Sequence, residues 1–281
     1  MKSYCIKTNN KQIIKYLLNK FKLLDFPNIY YCEKSFKKYE NFIMHYMEEN
    51  IENFDNIISS IVSDLIIDFY EEKLIKRIIN VNYFYFETNE KNIIYNNCKS
   101  FLYEQSEEIY ESLFINIKKY MKDNKRIYID GIVNFRINDY IKKIDNIVDL
   151  GVNQYIIEKE YKEFISLLKI YVNSSSNKSD IIHLVYLNGE SILLDKDKNI
   201  IKLNNNINTV QYLSDISFSS NDIALNTLLS ILPSKIEIHI IDKDDEFINT
   251  LKLIFEDRVR ICTDCNICRT YKKINDLKII K

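Results

Sequence analysis

Apolar residues return every third or fourth position through most of residues 52–172, and every second position in several short stretches on either side. The first period belongs to helices with one buried face, the second to strands. In the opening fifty residues, "SYCIK" (3–7) and "IYYC" (29–32) read as strands, with "KQIIKYLLNKFKLL" (11–24) between them as a helix. So short a return predicts a parallel strand pair closed by a crossover, with Pro27 in the connecting loop.

The middle of the chain predicts a helical bundle. Phe54, Ile57, Ile58, Ile61, Val62, Leu65, Ile66 and Phe69 fall on one helical face. A second helical stretch runs from Thr88 to about Met121, with a break at Gln105–Ser106, and a third from Phe135 to Val172. In the third, Ile137, Tyr140, Ile141, Ile144, Ile147 and Val148 line one side, and Gly151 marks an expected break or kink. Helices this apolar on one face need partners to cover it.

"NSSSNKSD" (173–180) has no periodicity, and strands follow it. "DIIHLVYL", Asn188-Gly189 and "ESILLD" form a hairpin signature, because Asn-Gly accepts the positive φ angles of a type I′ turn. "NIIKL" (199–203) predicts a third strand, and "SSNDIALNTLLSIL" (219–232) a capped helix stopped by Pro233. "KIEIHII" (235–241), "DDEFINTLKLIFE" (244–256) and "RVRIC" (258–262) then read as strand, helix, strand.

The predicted class is therefore α+β: a small N-terminal α/β unit (1–50), a central helical bundle (51–172), and a C-terminal region (180–281) whose hairpin leads into a strand–helix–strand unit. The N-terminal strands are candidates for joining the C-terminal sheet in one integrated body.

Composition alters this picture little. Gly (3), Pro (2) and Trp (0) are scarce, as an AT-rich genome would produce, and "NNNIN" (204–208) reads as solvated loop. A formal net charge of −1 gives no global field toward nucleic acid or an acidic membrane. The opening residues lack the apolar core of a signal peptide, and Asp55, Asp64 and Asp68 interrupt the most apolar long segment. These features predict a cytoplasmic protein.

Chemistry concentrates in "RVRICTDCNICR" (258–269), where Cys262, Cys265 and Cys268 begin at the carboxyl end of a predicted parallel strand. Open α/β sheets place ligands at such ends. Three thiols at this spacing converge in neither a straight strand nor a rigid helix, so a shared ion demands that the chain turn around it. Asp264 and Asn266 tolerate left-handed backbone, and Arg258, Arg260 and Arg269 would favour thiolates. A closed zinc site needs a fourth ligand. His239 on the neighbouring strand is the first candidate, ahead of Cys5, Cys32, Cys98 and His183. Metal binding, thiol redox chemistry and plain core cysteines remain three open readings.

Other motifs weaken on inspection. "DKDKN" (195–199) opens like a calcium loop, but Ile200 and Asn206 stand where glycine and glutamate are needed. "DKDDE" (242–246) reads as a helix cap, and "GESIL" (189–193) lacks the second glycine of a nucleophile elbow. No glycine precedes Gly131, which excludes both a P-loop and a dinucleotide-binding turn. The basic, tyrosine-interleaved segment "NIKKYMKDNKR" (116–126) fits the cationic end of a helix dipole better than a nucleic-acid patch.

Four segments in order, "DGIVNFRINDYIKKI" (130–144), "EKEYKEFISLLKIYV" (158–172), "HLVYLNGESILLDKDKNII" (183–201) and "DRVRICTDCNIC" (257–268), resemble the YtxC-like family of sporulation proteins from endospore-forming bacteria. The resemblance implies a cytosolic, sporulation-linked protein and supplies no reaction. The expectation is a protein that acts by binding an unidentified protein partner, with a small metal site at the cysteines, zinc being the candidate ion. The alternative is a thiol redox sensor or enzyme built on Cys262, Cys265 and Cys268.

Overall fold

The computed structural model describes residues 2–24, 28–47, 51–175, 179–201, 219–241, 245–262 and 264–279. Pro27, the "NNNIN" segment and residues 242–244 lie outside that set. The fold is α+β. The chain divides into two units, Met1–Glu158 and Lys159–Lys281.

In the first unit, strand β1 (Lys2–Thr8) is followed by helix α1 (Lys11–Leu24), β2 (Ile29–Ser35) and β3 (Glu40–Tyr46). β1 and β2 are not neighbours. The sheet order is β2-β3-β1-β4, where β4 is Arg126–Tyr128, and β3 runs antiparallel to both β1 and β2. The predicted crossover pair is thus split by a strand, "ENFIMHY", in which Phe42, Met44 and Tyr46 are buried and Ile43 and His45 face the other side. Among the described residues these N-terminal strands form a sheet of their own and pair with no strand of the C-terminal one.

Helices cover the apolar face of this sheet. α2 (Ile51–Ile66) passes through one π-helical turn (Ile67–Glu71) into α3 (Glu72–Asn82). α4 (Thr88–Glu104), α5 (Ser106–Asp123) and α6 (Ile129–Phe135) follow, and α7 (Asn138–Ser174) continues from this unit into the second. The predicted faces hold: Phe54, Ile58, Ile61, Val62, Leu65 and Ile66 of α2 are buried, as are Ile137, Tyr140, Ile144, Ile147 and Val148 around α7, in one core with Tyr4, Ile6 and Met44 of the sheet. The expected break at Gln105–Ser106 separates α4 from α5.

Gly151 does not break α7. A Cβ at this position would lie 2.6 Å from Cys98 Sγ and 3.1 Å from the Ile94 carbonyl oxygen of α4. Glycine is there so that two helices can approach closely, and helix propensity alone would favour alanine by about 1 kcal/mol. The contact outweighs propensity. Gly151→Ala is expected to lower stability by about 1–3 kcal/mol, the usual cost of overpacking, in chemical denaturation. A more stable variant would show that the close approach is not enforced.

In the second unit, β5 (Ser179–Leu187) and β6 (Glu190–Leu194) form the expected hairpin, with Asn188 at φ 52° and Gly189 at φ 79°. The predicted third strand reduces among the described residues to one bridge between Leu194 and Ile200, and residues 202–203 lie outside them. α8 (Ser220–Ile231) starts at a Ser219–Asp222 capping box and ends at Leu232 in left-handed backbone before Pro233. β7 (Pro233–Ile240), α9 (Glu246–Phe255), β8 (Val259–Cys262) and α10 (Asn266–Ile279) complete the unit. The sheet order is β6-β5-β7-β8, with β5, β7 and β8 mutually parallel. Ile182, Leu184, Tyr186, Ile236 and Ile238 bury one face with α8, α9 and the end of α7. On the other face Val185, Leu187, Leu194 and Ile241 meet Ile267 and Cys268 of α10. No helix among the described residues is long and apolar enough to cross a membrane.

Candidate metal centre

Strand register builds the site first. His239 and Cys262 are paired across β7 and β8, so their side chains leave the sheet on the same side at its carboxyl end. The chain then turns and enters α10, with Cys265 just before the helix and Cys268 in its first turn. The Cys268 N–H points at Cys265 Sγ (3.5 Å), so this thiol occupies the place of a helix-capping acceptor. Asn266 opens α10 in helical backbone and leaves the left-handed freedom of its residue type unused.

Four donor atoms converge there. Cys265 Sγ and Cys268 Sγ each lie 3.4 Å from His239 Nδ1. Cys268 Sγ is 3.7 Å from Cys265 Sγ and 3.9 Å from Cys262 Sγ. With zinc–sulfur bonds of about 2.3 Å and zinc–nitrogen bonds of about 2.0 Å, a tetrahedron sets sulfurs about 3.8 Å apart and sulfur and nitrogen about 3.5 Å apart. The observed spacing matches those separations. The four donors, His239, Cys262, Cys265 and Cys268, could hold a metal ion.

The electrostatics are those of a desolvated pocket. Burial pushes the Cys268 thiol up to about 12, and burial together with the neighbouring Cys265 raises Cys262. Burial also acts against the Cys265 thiolate, but the Cys268 N–H and the flanking thiols outweigh it and its pKa falls. His239 is 1% exposed. Burial, then repulsion from His183, lowers its pKa, leaving a neutral imidazole with a lone pair to give.

The arginines divide in their roles. Arg258 spends its guanidinium on two backbone carbonyls, Val172 (2.8 Å) and Pro233 (3.3 Å), and Arg269 pairs with Asp264 at 2.9 and 3.2 Å. Arg260 is exposed and lies opposite Glu237 in the register. The assignment of Arg258 as a thiolate tuner is corrected, because backbone carbonyls claim its guanidinium, whereas Arg269, though paired with Asp264, still attracts the Cys265 thiolate.

Of the other candidate ligands, Cys5, Cys32 and Cys98 belong to the first unit and are not in the cluster. Cys98 lies beneath Gly151, and burial raises its pKa to about 11. His183 is not in the sulfur cluster: its Nδ1 is 3.1 Å from His239 Nε2 and 3.4 Å from Glu237 Oε2, and these three residues form a second group of donors that could hold an ion. Lys235 pairs with the other oxygen of Glu237. Glu237 is absent from the residues that sequence reasoning singles out, although strand alternation places it two residues before His239 on the same face. The remaining motifs stay local. Asp195 accepts hydrogen bonds from the Asp197 and Asn199 amides, and Asp245 caps α9 through the Phe247 and Ile248 amides. Ser191 donates to Asn221, and His45 bonds Ser3.

Fold and site together define an α+β protein with a cysteine- and histidine-lined cluster at the carboxyl edge of parallel strands. The chain belongs to the YtxC-like family, whose model matches residues 56–260. The matched span includes His239 and ends before Cys262. The chain is also similar to a protein named Uncharacterized protein YtxC from Bacillus subtilis (strain 168), with 22% identity over 138 residues, 48% of this chain and 47% of that protein. It therefore spans about half the length of the curated relative it matches. No solved structure matches.

Proposed function

We propose that this is a cytoplasmic, sporulation-associated protein that acts by binding a protein partner, with one zinc ion pinning the carboxyl edge of its second sheet. The convergence of three thiols and one imidazole at tetrahedral spacing carries the zinc part of the reading. Three soft sulfurs and one nitrogen suit zinc better than magnesium or calcium, which prefer oxygen. Four protein donors leave no open position for substrate, which favours a structural ion over a catalytic one.

The family resemblance carries the link to sporulation. The binding role draws on surface in the first unit, where Phe84 and Tyr85 are 73% and 61% exposed. The redox alternative would fall to Cys262 and Cys265, which are partly exposed, since Cys268 is fully buried.

Elemental analysis of protein purified under reducing conditions tests the ion, and the reading expects one zinc per chain. In an endospore-forming host, deletion of the gene should lower the yield of heat-resistant spores, and restoring the wild-type gene should recover it. A metal-free chain with rapidly alkylated cysteines would instead support the thiol sensor.

A further inference from the structure

We infer that His183 is the positioning residue that fixes which nitrogen of His239 faces the ion, an inference that rests on the cluster holding one. A neutral imidazole carries a single N–H. If Nδ1 ligates, as its 3.4 Å approach to two sulfurs requires, the hydrogen must sit on Nε2. That N–H is buried and needs an acceptor. His183 Nδ1, 3.1 Å away with its ring tilted 32° to that of His239, is in position to accept it. Ligating histidines commonly hand their second N–H to an outer acceptor, which holds the ring and makes the ligating nitrogen a better donor.

The surroundings strengthen that hydrogen bond. His183 stands opposite Glu237 in the β5–β7 register, and Glu237 Oε2 lies 3.4 Å from the accepting nitrogen. A carboxylate beside the acceptor draws the shared hydrogen toward it and leaves more electron density on His239 Nδ1. Lys235 holds the other Glu237 oxygen and so fixes the carboxylate in place.

The test uses the full chain, zinc, and a competing chromophoric chelator. His183→Leu removes the acceptor and keeps bulk, whereas His183→Asn places an amide oxygen near the position of Nδ1. The Leu variant should bind zinc about 10–100-fold more weakly than wild type, and the Asn variant close to wild type. Cobalt substitution should give a tetrahedral, thiolate-rich spectrum in all three. In parallel, nitrogen-15 spectra of the zinc-loaded wild-type imidazoles should show His239 protonated at Nε2, a readout independent of whether any variant folds. Equal affinity in the Leu variant, equal weakening by Leu and Asn, or protonation at Nδ1 would overturn the assignment. So would two ions per wild-type chain, since Nε2 would then be a ligand. A wild-type chain that binds no zinc removes the metal reading itself, and this inference with it.

Discussion

Cys268→Ala should abolish stoichiometric zinc binding and lower the stability of the second unit by roughly 4 kcal/mol or more, in the range reserved for loss of a structural metal. The cysteine sits at the centre of the cluster, 3.4 Å from His239 Nδ1 and 3.7 and 3.9 Å from the sulfurs of Cys265 and Cys262. It is also the fully buried contact between α10 and the sheet, beside Val185, Leu194 and Ile267. Among the described residues that side of the sheet carries a small apolar cluster, so an ion at the four donors would add a tie between α10 and the strands. Thermal unfolding followed by circular dichroism, with and without a strong chelator, reads the effect. Wild type with chelator should approach the variant, and the variant should no longer respond to chelator. Cys32→Ala serves as the control: Cys32 is exposed in the first unit, and its replacement should leave zinc content unchanged and stability within about 0.5 kcal/mol. A Cys268→Ala protein that keeps its zinc would remove this residue from the ligand set.

The second large effect is expected in the first unit, where Phe54→Ala should cost about 3–5 kcal/mol. Phe54 is fully buried and stacks on Tyr46 of β3 at 5.0 Å, with Tyr4 of β1 at 5.7 Å. The ring therefore joins α2 to two strands. The next residue fixes the same junction from its polar side: Asp55 accepts a hydrogen bond from the Tyr4 hydroxyl at 2.8 Å and pairs with Lys2 at 2.6 Å. Removing the ring leaves a cavity that these polar anchors keep from collapsing. Phe84→Ala provides the comparison, because its ring is 73% exposed and its loss should change stability by no more than about 0.5 kcal/mol. Chemical denaturation midpoints of the two variants measure the contrast. Equal midpoints would show that Phe54 does not hold the sheet to the helices.

What the sequence makes legible follows from periodicity. The buried faces of α2 and α7, the Asn188-Gly189 turn and the parallel strands that set up the cysteines all arise from local patterns. His239 can be singled out because it lies on the strand next to Cys262. What stays hidden depends on distant partners. Gly151 looks like a helix break until Cys98 is placed against it, and Arg258 looks like a thiolate partner until the Val172 carbonyl claims it. β3 escapes notice although Phe42, Met44 and Tyr46 alternate, because Ile43 puts an apolar side chain on the opposite face and blurs the period. β4 holds only Arg126–Tyr128, too short a stretch for any period to show. His183 looks like a spare ligand, since nothing local reveals that its Nδ1 meets Nε2 of His239 and not the sulfurs.

Zinc K-edge X-ray absorption on the chain as purified examines the metal centre most directly. The tetrad predicts a first shell of three sulfurs at about 2.3 Å and one nitrogen at about 2.0 Å. A shell dominated by oxygen, or an edge showing no zinc bound to the protein, would contradict it.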